Sequence, residues 1–213
     1  MGPVRRAFRA KQIAVCVSVA FSMAGYWQFS FAGNNLPVGN CFDDGSSASL
    51  RVVAGSAMSG DTVDMSALVC SNITLEAGSC AITLPYGITL QGPGADKLTI
   101  HGNQCPILKS TSSEQLTIND LTLSDGVAYS ATGNVKGGCI YSAGDVFASR
   151  SLITNCAANA PDGYAYGGGI FTSGTANLNI TSVTNSKVTA SAFAYGGGLH
   201  ALNLVMTYST LSG

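Results

Sequence analysis

From Leu116 onward the chain is one unit written three times and begun a fourth: residues 116–125, 146–155, 176–185 and 203–213 share a single pattern. Leu123, Ile153, Val183 and Leu211 follow one another at 30, 30 and 28 residues. The aliphatic residues that close the glycine runs, Ile140, Ile170 and Leu199, step by 30 and 29. Two independent markers therefore agree on one period. A period of this size means units that cannot bury their apolar faces alone and must stack on neighbours. Each unit alternates apolar residues with Ser, Thr or Asn over short runs, which is strand periodicity, and helical repeats are thereby excluded. The glycine runs, with Asn and Asp at the ends of strands, supply left-handed corners. A parallel β-helix fits these constraints best.

Stacking at this step puts like on like. Ser124, Thr154, Thr184 and Ser212 form one column, Asp125, Asn155 and Asn185 the next, and Tyr141, Phe171 and His200 a third. Tyr164 lies over Phe193 and Tyr166 over Tyr195.

Residues 1–32 read as a secretory signal peptide: Arg5, Arg6, Arg9 and Lys11 precede an uncharged apolar stretch, and small residues offer a cut after Ala32. The competing reading is an uncleaved membrane anchor. The signal implies engagement of the secretion machinery and a secreted or cell-surface location. Residues 33–213 then hold 6 basic and 11 acidic residues, a net charge of −5, which gives no support to nucleic-acid binding. Charged residues are only 10% of the chain, against ~25% in ordinary globular domains, as expected of a surface covered by Ser, Thr and Asn.

Beyond Cys16 remain six cysteines, Cys41, Cys70, Cys80, Cys105, Cys139 and Cys156. An even count behind an export signal points to disulfides. Fifteen pairings are open; the working expectation is Cys41 with Cys70, Cys80 with Cys105 and Cys139 with Cys156. Zinc is the weaker use, since no C-x-x-C pair occurs and only His101 and His200 could assist. No metal or other cofactor is expected.

Residues 33–40 carry little pattern and read as a flexible leader. Residues 41–80 read as an N-terminal cap and first strands, in which Leu50, Val53, Ala54 and Ala57 fall at helical spacing behind Ser49, a residue able to cap. Residues 81–213 read as β-helix coils, incomplete at the C-terminal end. Leu202, Leu204, Val205, Met206 and Leu211 run to the terminus with no capping unit, so self-association through that coil is expected.

Cys41-Phe42-Asp43-Asp44-Gly45, Ser59-Gly60-Asp61-Thr62-Val63 and Leu90-Gln91-Gly92-Pro93-Gly94-Ala95-Asp96, together with the glycine-run repeats, resemble bacterial secreted right-handed parallel β-helix proteins of the choice-of-anchor or polymorphic outer membrane protein-like group. The resemblance spans residues 41–213 and implies the right-handed fold and a surface location. It defines no function.

Three functional classes remain. A non-catalytic, adhesin-like or carbohydrate- or partner-binding protein draws on Tyr164, Tyr166, Phe193 and Tyr195 as ligand-binding aromatics, the partner being a polysaccharide or a cell-surface protein. A polysaccharide lyase or glycoside hydrolase of the pectate-lyase-like β-helix type would need clustered carboxylates with a Lys or Arg. Its candidates are Asp120, Asp125, Asp145, Asp162, Lys136 and Arg150, but Asn155 and Asn185 replace Asp125 in later coils, so no carboxylate column forms. The third class is a structural spacer. No catalytic residue is assigned.

Overall fold

The computed structural model describes residues 33–213. The expected signal peptide, its cut after Ala32 and Cys16 lie outside the described residues.

The chain coils into a parallel β-solenoid of about six turns. Three sheets form its body. Sheet A holds strands Asn35–Pro37, Thr62–Asp64, Thr89–Gln91, Leu116–Asn119, Val146–Ser149, Thr175–Asn179 and Asn203–Thr207. Sheet B holds Asn72–Thr74, Thr99–His101, Thr122–Ser124, Leu152–Thr154, Ser182–Thr184 and Thr210–Ser212. Sheet C holds Ile82–Leu84, Leu108–Ser110, Ile140–Ser142, Ile170–Thr172 and Leu199–His200. Every strand pair is parallel and in register, so the inward residue of each turn lands on that of the next. Ile73, Ile100, Leu123, Ile153, Val183 and Leu211 make one such column in sheet B. Its first five members are fully buried, which for Leu123, Ile153 and Val183 is what the step of 30 predicts.

The last three full turns differ from the first. Early turns place seven residues between sheets A and B (65–71 and 92–98), whereas later turns place two (120–121, 150–151, 180–181). The difference reappears between sheets B and C, where residues 125–139, 155–169 and 185–198 rise into a lobe. Sheet D (Val127–Tyr129, Ala157–Ala160, Lys187–Ala190) leads outward, and sheet E (Val135–Lys136, Tyr164–Tyr166, Phe193–Tyr195) leads back. The lobe has its own small core of Ala128, Val135, Ala158, Ala160 and Ala165, whose small side chains let the two sheets close together. At its neck Gly138 lies so near the backbone of Ala157 and Gly168 that a Cβ has no room. Cys139–Cys156 joins outgoing and returning chain at the same place, with Cα atoms 5.5 Å apart.

The other two bridges, Cys41–Cys70 and Cys80–Cys105, lie in the N-terminal turns with Cα separations of 6.3 and 4.9 Å. All three pairs agree with the expected connectivity. Helix α1 (Leu50–Ser56) buries Leu50, Val53 and Ala54, packing against Thr62–Asp64 of sheet A and Ile82–Leu84 of sheet C. Ser49 occupies the capping position without capping: its hydroxyl donates to the Ser46 carbonyl at 2.8 Å.

Residues 33–40 correct the reading of a flexible leader. Asn35–Pro37 is the first strand of sheet A, with Leu36 opposite Val63. Its order comes from further along the chain, because Asp61 accepts the Asn34 amide at 2.7 Å and Asp64 accepts the Asn35 side chain at 2.9 Å. Pro37 suits an edge strand, where a missing donor costs no ladder bond. At the opposite edge Leu204, Val205, Met206 and Leu211 are exposed.

Candidate functional site

The returning strands of the lobe and the strands of sheet C meet at the glycine runs, where Gly137, Gly167 and Gly196 adopt φ of 65°, 60° and 63°. Positive φ lets the chain bend sharply here. The outward side chains of sheets E and C therefore face each other across a concave junction. On sheet E, Lys136, Tyr166 and Tyr195 form one column and Tyr164 with Phe193 another. On sheet C, Lys109, Tyr141, Phe171 and His200 form a third.

Within columns the rings are nearly parallel, with centroids 5.6 Å apart for Tyr141–Phe171 and Tyr164–Phe193, 5.3 Å for Phe171–His200 and 5.2 Å for Tyr166–Tyr195. These exceed the ~4.8 Å strand spacing slightly, as offset stacking requires. Between columns the rings meet edge-on, Tyr166 with Phe171 at 6.2 Å and with His200 at 5.3 Å. Lys136 Nζ lies 4.5 Å from the Phe171 ring centre and 5.9 Å from that of Tyr166. Phe171 is covered by this arrangement, whereas Tyr164, Phe193 and Tyr195 remain exposed. The Tyr141 and Tyr166 hydroxyls are not among the polar atoms buried without a partner.

The four aromatics singled out from sequence, Tyr164, Tyr166, Phe193 and Tyr195, are thus brought together. Sequence reasoning kept the Tyr141 column apart from them, and the bend at the glycine runs joins the two. It also missed Lys136 and Asn134 as neighbours, although each stands 30 residues before a ring, Tyr166 and Tyr164. At the N-terminal end of the rings a cavity of about 310 Å³ is lined by Ala81, Pro106, Lys109, Asn134, Lys136 and Tyr141.

The carboxylates raised as lyase or hydrolase candidates are dispersed. Asp120 accepts two bonds from Arg150, at 2.7 and 2.6 Å, and one from Gln91; these hold its carboxyl below the ordinary value, Arg150 contributing most. Asp145 accepts the Thr175 amide at 2.7 Å. Asp125 is burdened by partial burial, yet the Ser124 hydroxyl and His101 outweigh it and lower its pKa. The chain turns at both Asp120 and Asp125, with φ of 56° and 60°, so straight-strand alternation does not apply between them.

His101 brings Asp125 into a second constellation. Its Nδ1 lies 2.9 Å from Asp125 Oδ2 and its Nε2 3.1 Å from Asn72 Oδ1, beside an open depression of about 460 Å³ also lined by Thr74 and Asn103. Both ring nitrogens are engaged inside the protein, and Ser124 donates to Asp125 rather than to His101. A general base needs a nitrogen within reach of substrate, so this arrangement orients the imidazole without freeing it. Among the described residues no three His, Cys, Asp or Glu side chains are grouped to hold a metal ion.

No protein-family model, curated protein or solved structure matches the chain.

Proposed function

We propose that this chain is an exported, non-catalytic β-solenoid that binds glycan along the ring-lined junction between lobe and body. The observation that carries the reading is the continuity of the rings: seven aromatic or imidazole side chains from three turns form one cluster on an outward, concave surface. A ladder built only to stabilise the fold needs no second column facing it. Ring edges and tyrosine hydroxyls set side by side suit a sugar, which offers both C–H faces and hydroxyls. Export is supported by the three disulfides, which persist in oxidising compartments. No helix among the described residues is long and apolar enough to cross a membrane.

A glycan array probed with residues 33–213 tests the proposal. Binding is expected, and Tyr166→Ala and Tyr195→Ala should each weaken it about tenfold, or ~1.4 kcal/mol. Failure to bind any glycan, or indifference to both substitutions, would sink it. Release of sugars from a uronate polymer would replace binding with catalysis.

A further inference from the structure

The cavity at the N-terminal end of the rings has a one-sided chemistry. Lys109 and Lys136 stand at its wall, and among the described residues neither makes an ion pair; the pairs present involve Arg51, His101 and Arg150. Asn134 commits its oxygen to the Tyr164 amide at 3.0 Å, which leaves its side-chain NH₂ to donate. No carboxylate lines the cavity, and Ala81, Pro106 and the Tyr141 ring supply its apolar surface. Two ammonium groups and an amide donor, with no acidic side chain beside them, suit an anion. The attraction is local, because residues 33–213 carry a net charge of −5 and draw no anion at long range.

We infer that this cavity receives the acidic group of an anionic glycan, a uronate carboxylate or a sugar sulfate, held between Lys109 and Lys136 with Asn134 as third donor. The inference rests on the glycan-binding reading and adds the ligand's charge and polarity. Its volume of about 310 Å³ lies at the lower end of the ~300–1,000 Å³ typical of small-molecule sites, so one sugar residue occupies it. From Lys136 the column continues along the axis through Tyr166 to the exposed Tyr195 in two steps of ~4.8 Å, which seats a chain extending toward the C-terminal turns. The acidic sugar lies at one end and the rings hold the sugars beyond it. A nucleic acid would need cations repeated along its backbone, and in these columns the lysines stop where the rings begin.

The test measures binding of oligogalacturonate, its carboxyl-reduced counterpart, a sulfated oligosaccharide and a single-stranded oligonucleotide to residues 33–213. The uronate or the sulfated ligand, whichever is the source of the anion, should bind with an affinity that falls as salt rises. Lys109→Ala and Lys136→Ala should each weaken it about tenfold, and Lys136→Arg should retain most of it. Among the described residues the cation–ring contacts are those of Lys136, so Lys109 serves as the control should Lys136→Ala disturb the ring packing; melting curves separate the two effects. Neutral glycans bound through Tyr166 and Tyr195, with no effect of either lysine or of carboxyl reduction, would overturn the inference and leave glycan binding standing. Absence of any glycan binding would remove both, and lysine-dependent binding of the oligonucleotide with equal affinity would overturn the assignment of ligand class.

Discussion

Two arginine–aspartate pairs of almost the same geometry sit in the two parts of the solenoid. Arg51 grips Asp43 with bonds of 2.8 and 2.6 Å in the N-terminal turns, and Arg150 grips Asp120 with 2.7 and 2.6 Å in the lobed turns. Their surroundings differ. The Asp43 side chain is 1% exposed and also takes the Glu76 amide, while Arg51 reaches on to the Ser79 carbonyl. The Arg150 side chain is 54% exposed and spans two successive turns that ladders in all of sheets A to E already join. The irregular turns are held by links that occur once, two disulfides and a buried pair among them. The regular turns carry one such link, Cys139–Cys156, and are otherwise held by ladders that recur at each step.

Substituting the two arginines is the strongest way to break this contrast. Arg51→Ala leaves a buried carboxylate without its partner and should cost about 3 kcal/mol, the lower end of the range for a broken buried pair because Arg51 itself is partly solvated. Arg150→Ala should leave the denaturation midpoint close to that of the parent protein. Equal losses in urea titrations of the two variants would abolish the distinction.

Acid offers a gentler probe of the same contrast. Burial alone would raise the Asp43 carboxyl, but Arg51 and the Glu76 amide hold it below the ordinary 3.8. Asp44, Asp61 and Asp64 are lowered too, by Ser46, by the Met58 and Asn34 amides, and by Ser66 with Asn35. A depressed folded pKa means that the unfolded chain takes up protons first. The stability these groups give is complete above the unfolded value near 4 and drains as pH falls through the folded one. Four such groups lie between Asp43 and Asp64, against Asp120 and Asp125 in the lobed region. Hydrogen exchange below pH 4 should therefore show protection lost in residues 41–80 before residues 140–190. Simultaneous loss would mean that the two parts unfold as one unit.

The smallest effect concerns a corner. Asp120, Arg150, Ile180 and Tyr208 all turn from sheet A to sheet B with φ between 48° and 56°. Ile180 is a β-branched residue in the left-handed region and is exposed, so strain there is not offset by burial. Ile180→Asn should stabilise the protein by about 1 kcal/mol, read as a rise in the thermal midpoint. A fall would show that the isoleucine packs more usefully than its exposure suggests.

That corner also marks a limit of what sequence conveys. Asn155 and Asn185 advertise a left-handed turn; Arg150, Ile180 and Tyr208 do not, and there the register of the sheets overrides residue preference. The stacking of Leu123, Ile153 and Val183 was legible because a buried column tolerates few residue types. The lobe was not, since shortening one corner while lengthening another moves the step in sheet A only from 27 or 28 residues to 30. The strand at Asn35–Pro37 escaped notice because its partners, Asp61 and Asp64, lie some 27 to 29 residues away. Of the candidate site, the rings were visible as repeated letters, whereas Lys109 and Lys136 occupy the same columns with different chemistry, and only the fold shows them to be neighbours.

The glycine neck gives the lobe a mutational property of its own. Because each turn leaves and re-enters the body at the same point, an in-frame duplication of one whole unit would insert a further rung into sheets A to E at once, with every ladder still finding its mate. Recombination between such similar stretches makes that event easier than most insertions. The ring platform would lengthen by one step while the lysine-lined end stayed single. Variation in copy number among descendants of this gene would then tune the length of ligand gripped and leave the acidic end group it starts from unchanged.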